Sequence, residues 1–523
     1  MNGAEGLIRT LLACGVDTCF TNPGTSEMHF VAALDRIEGM RCVLGLFEGV
    51  VTGAADGYGR MKDRPASTLL HLGPGLANGM ASLHNARRAM TPIVNVVGDH
   101  AIAHLRHDPP LGSDIEGLAR INSSWVRTTK SHASVAQDTA EAVAASMTAP
   151  GGSSTLILPA DVAWTEGSSV ATAVPIPERA KVDEARVRAA GEALRKGNGA
   201  LVLNGPMLRE RALELCGRVA AATQAELLCP TQMNRAERGA GRVNVDRIPY
   251  VVEAAQKRLA HLRTLVLVNS RAPVNFFAYP GKPPTPMAPG CEVITLATTE
   301  EDGVDAMQRL VDFLHVEKVN PVREELRRPA LPGGPVTLQG LAEVIAALMP
   351  EQCIVADESI TSGRGLVPAT RNTPPHDWLV NPGGSIGFAM PVSIGAAVAC
   401  PDRKVLCLQS DGSGMYVAQS LWTMAREQLD ILVLVFANRT YEILKGELRN
   451  VGAGEPGGKA RDMLEIGRPD LGGLRIRCTP PRRVRAGVEA EPLDGRRGDE
   501  QGPVAPVVAQ VVRRIDTHHA RHA

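Results

Sequence analysis

Aromatic residues are scarce in this chain: 4 Trp, 5 Tyr and 8 Phe make up 3% of 523 residues. A core short of large rings must be built from Ala, Val, Leu and Ile. That is the vocabulary of parallel α/β sheets, whose strands are buried on both faces. Net charge is lacking too, since 56 Lys and Arg balance 56 Asp and Glu. The balance argues against a nucleic-acid surface or an anionic-membrane anchor as the main business. No run of about 20 apolar residues is present, so no membrane span is expected. The opening Met1-Asn2-Gly3-Ala4-Glu5 has no basic stretch, so no secretory leader is expected. CxxC spacing is absent as well. Cys14, Cys19, Cys42, Cys216, Cys229, Cys291, Cys353, Cys400, Cys407 and Cys478 are scattered, which reads as reduced thiols in a cytoplasmic protein.

What is present is a globular composition, 44% hydrophobic and 21% charged, long enough for about three domains. Residues 1–165 alternate helical patterns such as Gly6–Ala13 and Glu48–Arg60 with short apolar runs at Ala66–Leu72, Pro92–Val97 and Thr155–Leu158. A Ser, Thr, Ala and Pro-rich stretch over 166–185 suits a linker. A second unit, 185–330, carries strands at Ala200–Leu203, Thr264–Val268 and Cys291–Leu296, and a third, 340–471, at Cys353–Ala356, Lys404–Gln409 and Ile431–Phe436. The expected fold is therefore α/β, with three doubly wound parallel-sheet domains. Residues 472–523 break the rhythm, with ten Arg, no Lys and no aromatic residue. Neither the helix nor the closing strand of an α/β unit is evident there, and the tail is expected to be atypical.

The sharpest chemical signal lies in the third unit. Strand Lys404–Gln409 runs into Ser410-Asp411-Gly412-Ser413-Gly414, and Ile431–Phe436 runs into Ala437-Asn438-Arg439-Thr440-Tyr441. The 27 positions from Asp411 to Asn438 hold one helix and one strand, so a crossover sets both residues at carboxyl ends of neighbouring strands. Open α/β sheets bind ligands there. A carboxylate and an amide carbonyl are hard oxygen donors suited to Mg²⁺, and Gly412 and Gly414 let backbone N–H groups approach a phosphate. The plainer alternative is a strand-end turn with a capping Asp.

These residues resemble the motif of thiamine-diphosphate (ThDP) enzymes, with Ser410 in place of the first Gly and Arg439 where Asn or Gly is common. The resemblance covers residues 1 to about 471 and extends to acetolactate synthases and benzoylformate decarboxylases. Gly383-Gly384-Ser385-Ile386-Gly387-Phe388-Ala389-Met390-Pro391 looks like the segment before the Mg²⁺ site, with Ile386 as the apolar residue that bends the cofactor. Asp357-Glu358-Ser359-Ile360-Thr361 is similar to a loop near the diphosphate. Phe47-Glu48-Gly49 through Gly59-Arg60 looks like the helix of the activating glutamate. The resemblance implies catalytic roles for Glu48, His71 and Thr25. It implies cofactor contacts from Gly24, Glu48, Thr361, Gly384, Ile386, Gly412, Ser413 and Thr440, and Mg²⁺ ligation by Asp411, Asn438 and the Thr440 carbonyl. Without it, Glu48 reads as a helix-start charge, Ile386 as a core residue and His71 as a core histidine.

Departures bear on substrate choice. Benzoylformate decarboxylases have a second histidine near the position of Ala278, where this chain has none. The Phe-Gln-Glu stretch of acetolactate synthases is Leu111-Gly112-Ser113-Asp114 here, and the central unit lacks segments associated with FAD, so FAD is not expected. His100, His104, His107 and Asp108 read as a solvated loop more than a metal cluster, and Gly73–Gly79 is not a dinucleotide fingerprint. The implied function is a ThDP- and Mg²⁺-dependent enzyme of 2-oxo acids, acetolactate-synthase-like in decarboxylation with carboligation. The alternatives are a benzoylformate-decarboxylase-like enzyme and a non-catalytic paralogue. The family divides its site between subunits, so a homodimer or homotetramer is expected, with a 2-oxo acid as the small-molecule partner. The tail could also stem from a shifted reading frame.

Overall fold

Unbroken β-branched and leucine runs become strands: Thr264–Val268 is fully buried, and Ile431–Phe436 begins and ends where its apolar run does. The computed structural model describes residues 1–467 and the backbone of Val508–Val512. Three sheets are present. The first has six parallel strands, in spatial order Arg41–Leu44, Thr18–Asn22, Ala66–Leu70, Ile93–Asp99, Ser153–Pro159 and Ser123–Thr128. The second has five, also parallel: Asp246–Arg247, Glu226–Cys229, Gly199–Leu203, Thr264–Val268 and Glu292–Ala297. The third orders Val508–Val512, Ile431–Phe436, Val405–Ser410, Ile354–Glu358, His376–Val380 and Arg235–Arg238.

Two features of the third sheet differ from expectation. A closing strand is present after residue 471: Val508–Val512 runs parallel to Ile431–Phe436, with Val508 opposite Leu432. The open edge of Ile431–Phe436 would otherwise leave a row of backbone donors and acceptors unpaired, and the tail's apolar patterning resumes at this run. The rest of the tail, and with it the frame-shift question, lies outside the described residues. The other difference is an exchange between units. Arg235–Arg238 comes from the central unit but pairs antiparallel with His376–Val380 in the third. Its charged sequence hides it from any apolar pattern. Arg235 is buried because its guanidinium meets Asp377, Nε to Oδ1 at 2.6 Å.

Small residues let the first and third units approach closely. Helix Glu48–Lys62 packs on helix Ala389–Ala399, and three glycines make the contact possible. A Cβ on Gly57 would lie 2.1 Å from the Val392 carbonyl oxygen, one on Gly53 2.5 Å from Pro391, and one on Gly395 1.8 Å from the Ala54 oxygen. The shortage of aromatics thus has a structural counterpart in backbones that nearly touch. Gly73-Pro74-Gly75, readable as a turn, instead opens helix Leu72–Ala89. A proline is tolerated in a first helical turn, where the missing N–H has no intrahelical partner. Among the described residues every cysteine is free, and no helix is long and apolar enough to cross a membrane.

Candidate active site

Two half-sites emerge. In the first unit, Glu48 is the first residue of helix Glu48–Lys62 and only 7% exposed. Its Oε2 accepts a hydrogen bond from Asn78 Nδ2 at 3.0 Å. Its Oε1 faces Gly75, where a Cβ would stand 3.2 Å away. The carboxyl is thus buried beside apolar neighbours with one side-chain donor. That environment suits a group that exchanges a proton with a ligand better than a structural ion pair.

His71 caps helix Leu72–Ala89 through its backbone, and Leu72 beside it adopts φ +49°. The His71 ring is fixed by a residue that sequence reading passed over. Glu27 Oε2 lies 2.9 Å from His71 Nδ1 and also accepts the Gly24 N–H at 2.8 Å. Glu27 is itself buried, and Gly98 leaves space for it: a Cβ there would sit 1.8 Å from Oε1. Glu27 also caps the short turn Thr25–Glu27; its bond to His71 needs the fold. With Nδ1 held by a carboxylate, Nε2 is the nitrogen left for other chemistry. Gly24 must be glycine, since a Cβ would be 2.1 Å from His71 Nδ1. Thr25 is exposed beside this group.

In the third unit, Asp411 follows strand Val405–Ser410, and Asn438 follows the adjoining Ile431–Phe436, with Ser410 opposite Phe436. The two loops are tied together: Asp411 Oδ2 accepts the Arg439 N–H at 2.6 Å, and Oδ1 accepts that of Gly412 at 2.9 Å. Asn438 Oδ1 accepts the Thr440 N–H at 3.1 Å. The Thr440 hydroxyl donates to the Leu464 carbonyl. Ring atoms of Tyr441 leave no room for a side chain at Gly412. A carboxylate, an amide oxygen and nearby carbonyls at adjacent strand ends form the hard-oxygen donor set that Mg²⁺ requires. Ser413 differs from expectation in direction. It is buried, and its hydroxyl accepts from Gln409 Nε2 at 2.5 Å, so the side chain is turned inward.

Arg439 adopts φ +58°, where a side chain costs roughly 1 kcal/mol. Arg439→Gly keeps the backbone N–H that Asp411 accepts. It is expected to raise stability by about 0.5–1 kcal/mol, read from urea unfolding. A loss of stability would mean that the arginine side chain, not the backbone, governs this loop.

Thr361, Gly384 and Ile386 line one cavity of about 860 Å³ between the central and third units. Its loop is set by Glu358, which accepts the N–H groups of Gly387, Phe388 and Ala389 at 2.9–3.1 Å, and Gln409 Nε2 at 2.9 Å. Burial pushes the Glu358 carboxyl above its usual range, with those donors pulling the other way. Phe276 packs on the same loop: a Cβ on Gly384, at φ +76°, would lie 3.0 Å from its ring. Ile360, also lining the cavity, is held at φ +49°. A β-branched residue there is strained, as residues at ligand sites often are.

Within one chain the first unit reaches the 383–385 loop through Asn85, which bonds to Ser385, and His84, which meets the Gly383 carbonyl. Among the described residues, no hydrogen bond joins Glu48, His71, Thr25 or Gly24 to Thr361, Gly384, Ile386, Asp411 or Asn438. The histidines of the 100–108 loop form a chain of tilted rings 5.8 Å apart. Among the described residues, no group of three or more His, Cys, Asp or Glu is arranged to hold a metal ion.

Known proteins match this architecture. The thiamine pyrophosphate enzyme N-terminal TPP binding domain matches residues 1–117, and the C-terminal TPP binding domain matches residues 364–473. A Mycobacterium tuberculosis protein named "Putative acetolactate synthase large subunit IlvX" is 50% identical over 492 residues, 92% of this chain and 94% of its own. A benzoylformate decarboxylase of Pseudomonas aeruginosa is 27% identical over 463 residues, covering 82% of this chain and 85% of its own. The solved Rhodococcus jostii thiamine diphosphate-dependent 4-hydroxybenzoylformate decarboxylase superposes with TM-score 0.76 over 89% of this chain and 90% of its own, at 22% identity. With half of its residues shared along nearly its full length, this chain belongs to the thiamine-diphosphate-dependent enzyme family, alongside the acetolactate-synthase-large-subunit-like proteins.

Proposed function

We propose that the protein is a ThDP- and Mg²⁺-dependent enzyme of 2-oxo acids, acetolactate-synthase-like in coupling decarboxylation to carboligation. The observation that carries this is the pairing of Asp411 and Asn438 at neighbouring strand ends, tied through the Arg439 N–H. Asp411, Asn438 and the Thr440 carbonyl would hold Mg²⁺. Thr361, Gly384, Gly412 and Ser413 would hold the diphosphate, the last two through their backbones. Ile386 would brace the cofactor between its rings. Bound ThDP supplies a carbanion that adds to the 2-oxo carbonyl and an electron sink for the pair released with CO₂.

The protein's own part is proton management. Glu48 holds a proton against the pyrimidine nitrogen from its buried place beside Asn78. His71, positioned by Glu27, offers Nε2 to move a proton at the substrate oxygen, and Gly24 and Thr25 border that ring.

The family's division of its site between subunits supports a cytoplasmic homodimer or homotetramer in which a second copy brings Glu48 to Ile386. Exposed apolar side chains flank both halves, Leu46 (47%) beside Glu48 and Tyr416 (56%) beyond Asp411. A benzoylformate-decarboxylase-like outcome is favoured by one observation, the aromatic side chains of Phe276 and Phe277 at the cavity. The test is CO₂ release from pyruvate and benzoylformate with product analysis. Release should need both ThDP and Mg²⁺, stop with EDTA, and fall to background in Asp411→Ala. Acetolactate from pyruvate supports the first outcome, and benzaldehyde from benzoylformate the second. Bound ThDP with no turnover of any 2-oxo acid would leave a non-catalytic paralogue.

A further inference from the structure

The 860 Å³ cavity has two kinds of wall. One is aromatic. Tyr250, Phe276 and Phe277 form a chain of rings, with centroids 5.5 and 4.7 Å apart, and Phe276 lies on Gly384. In a chain with so few rings, this concentration marks an apolar contact surface. The other wall is cationic: Arg258 and Arg371 are paired with carboxylates, while Arg238, Arg247 and Arg364 are not. Arg238, 9% exposed, donates only to neutral acceptors, the Thr370 hydroxyl at 3.1 Å and the Val367 carbonyl at 2.7 Å. Arg247 beside it donates only to the Thr231 carbonyl. Among the described residues, no carboxylate stands within ion-pair distance of Arg238, Arg247 or Arg364, and all three line the cavity. Burial first, and then the charges of Arg247 and Arg371, lower the Arg238 guanidinium to about 10. The cavity's four carboxylates are otherwise engaged: Asp246 with Arg258, Asp357 with Ser359 and Trp378, Glu358 with the N–H groups of Gly387, Phe388 and Ala389, and Glu447 with Tyr250.

A buried guanidinium without an anion is costly, and facing a cavity it is a built anion receptor. The cofactor diphosphate would sit with Asp411 and Asn438, which lie outside the cavity's lining, and reach it at Thr361 and Gly384 of the third unit, whereas Arg238 and Arg247 come from the central unit. The carboxylate lost as CO₂ gains nothing from a guanidinium, because pairing would stabilise it most before it leaves. We infer that the cavity takes a 2-oxo acid bearing a second anionic group, which Arg238 and Arg247 hold while its apolar body lies along Phe276 and Phe277. The inference rests on the proposed reading of this site as a 2-oxo acid enzyme, and it names the substrate class.

The test compares 2-oxoglutarate, 2-oxoadipate and 4-carboxyphenylglyoxylate with chain-matched monocarboxylates (2-oxopentanoate, 2-oxohexanoate and benzoylformate) on the ThDP- and Mg²⁺-loaded protein. At least one dicarboxylate is expected to exceed its match in kcat/KM by about tenfold or more, the worth of a charge-assisted hydrogen bond. Arg247→Gln should collapse that ratio, acting through KM. A second readout is independent of turnover: adipate should raise Tm more than hexanoate does, and Arg247→Gln should abolish the difference. Equal kcat/KM values throughout, or a ratio untouched by Arg247→Gln, would overturn the inference. If nothing is turned over, the enzyme reading fails, and the Tm comparison alone decides the anion site: a difference keeps it and no difference ends it.

Discussion

Glu48→Gln is expected to lower kcat on a 2-oxo acid by about two to four orders of magnitude, the usual worth of a general acid–base group. The side chains are nearly the same shape. The introduced amide can still accept from Asn78 Nδ2 through its oxygen, where Glu48 Oε2 now sits at 3.0 Å. The helix start is buried in both proteins, so stability should change by less than about 1 kcal/mol, the size of one exchanged hydrogen bond. An amide, however, cannot give a proton to a pyrimidine nitrogen and take it back. Hydrogen–deuterium exchange at C2 of the bound cofactor, followed by NMR after acid quench, should slow with kcat. Retained kcat and exchange would remove Glu48 from the proposed mechanism. Slow kcat with fast exchange would move its role to a later proton transfer.

Much of this site was legible because its chemistry is written in short segments. Asp411 and Asn438 each follow an apolar strand directly, so a crossover alone brings them together. Glu48 stands at the start of a helix whose small residues are visible in sequence. What escaped depends on distant partners. Arg235–Arg238 has no apolar alternation, and becomes a strand because Asp377 and the edge of His376–Val380 await it. Gly73-Pro74-Gly75 has turn chemistry, yet the helix forms because Gly73 and Gly75 pack against Ser113 and Glu48. Glu27 carries no local signal for its bond to His71, which spans 44 residues. The guanidiniums of the cavity wall were invisible for the same reason. An unpaired cation is defined by which carboxylates are missing around it, and no local pattern reports that.

The largest loss of stability is expected from Arg60→Met. Arg60 and Asp56 are a buried pair one helical turn apart, with side chains 2% and 1% exposed. Their contact is bidentate, Nε to Oδ1 at 2.8 Å and Nη2 to Oδ2 at 2.6 Å. The remaining Nη1 reaches out of the first unit to the Val380 carbonyl at 2.7 Å and the Asn234 carbonyl at 3.1 Å. The guanidinium also lies over the Phe388 ring, 4.9 Å from its centroid. One side chain therefore ties the first unit to the central and third ones, beside the helix pair that their glycines bring into contact. Removing it leaves the Asp56 carboxylate with Thr91 Oγ1 as its remaining side-chain donor, and takes a donor from the Val380 and Asn234 carbonyls, the second of which keeps the Val380 N–H at 3.4 Å. A buried pair broken on one side costs about 3–5 kcal/mol. Asp56→Asn together with Arg60→Met removes the orphaned charge. The double variant should recover part of that loss, so the two changes should not add. Urea unfolding followed by far-UV dichroism measures both, with the first transition as the readout because three units need not unfold together. Strict additivity, or a loss under about 1 kcal/mol for Arg60→Met, would mean that the glycine-mediated helix contact holds the units together without this lock.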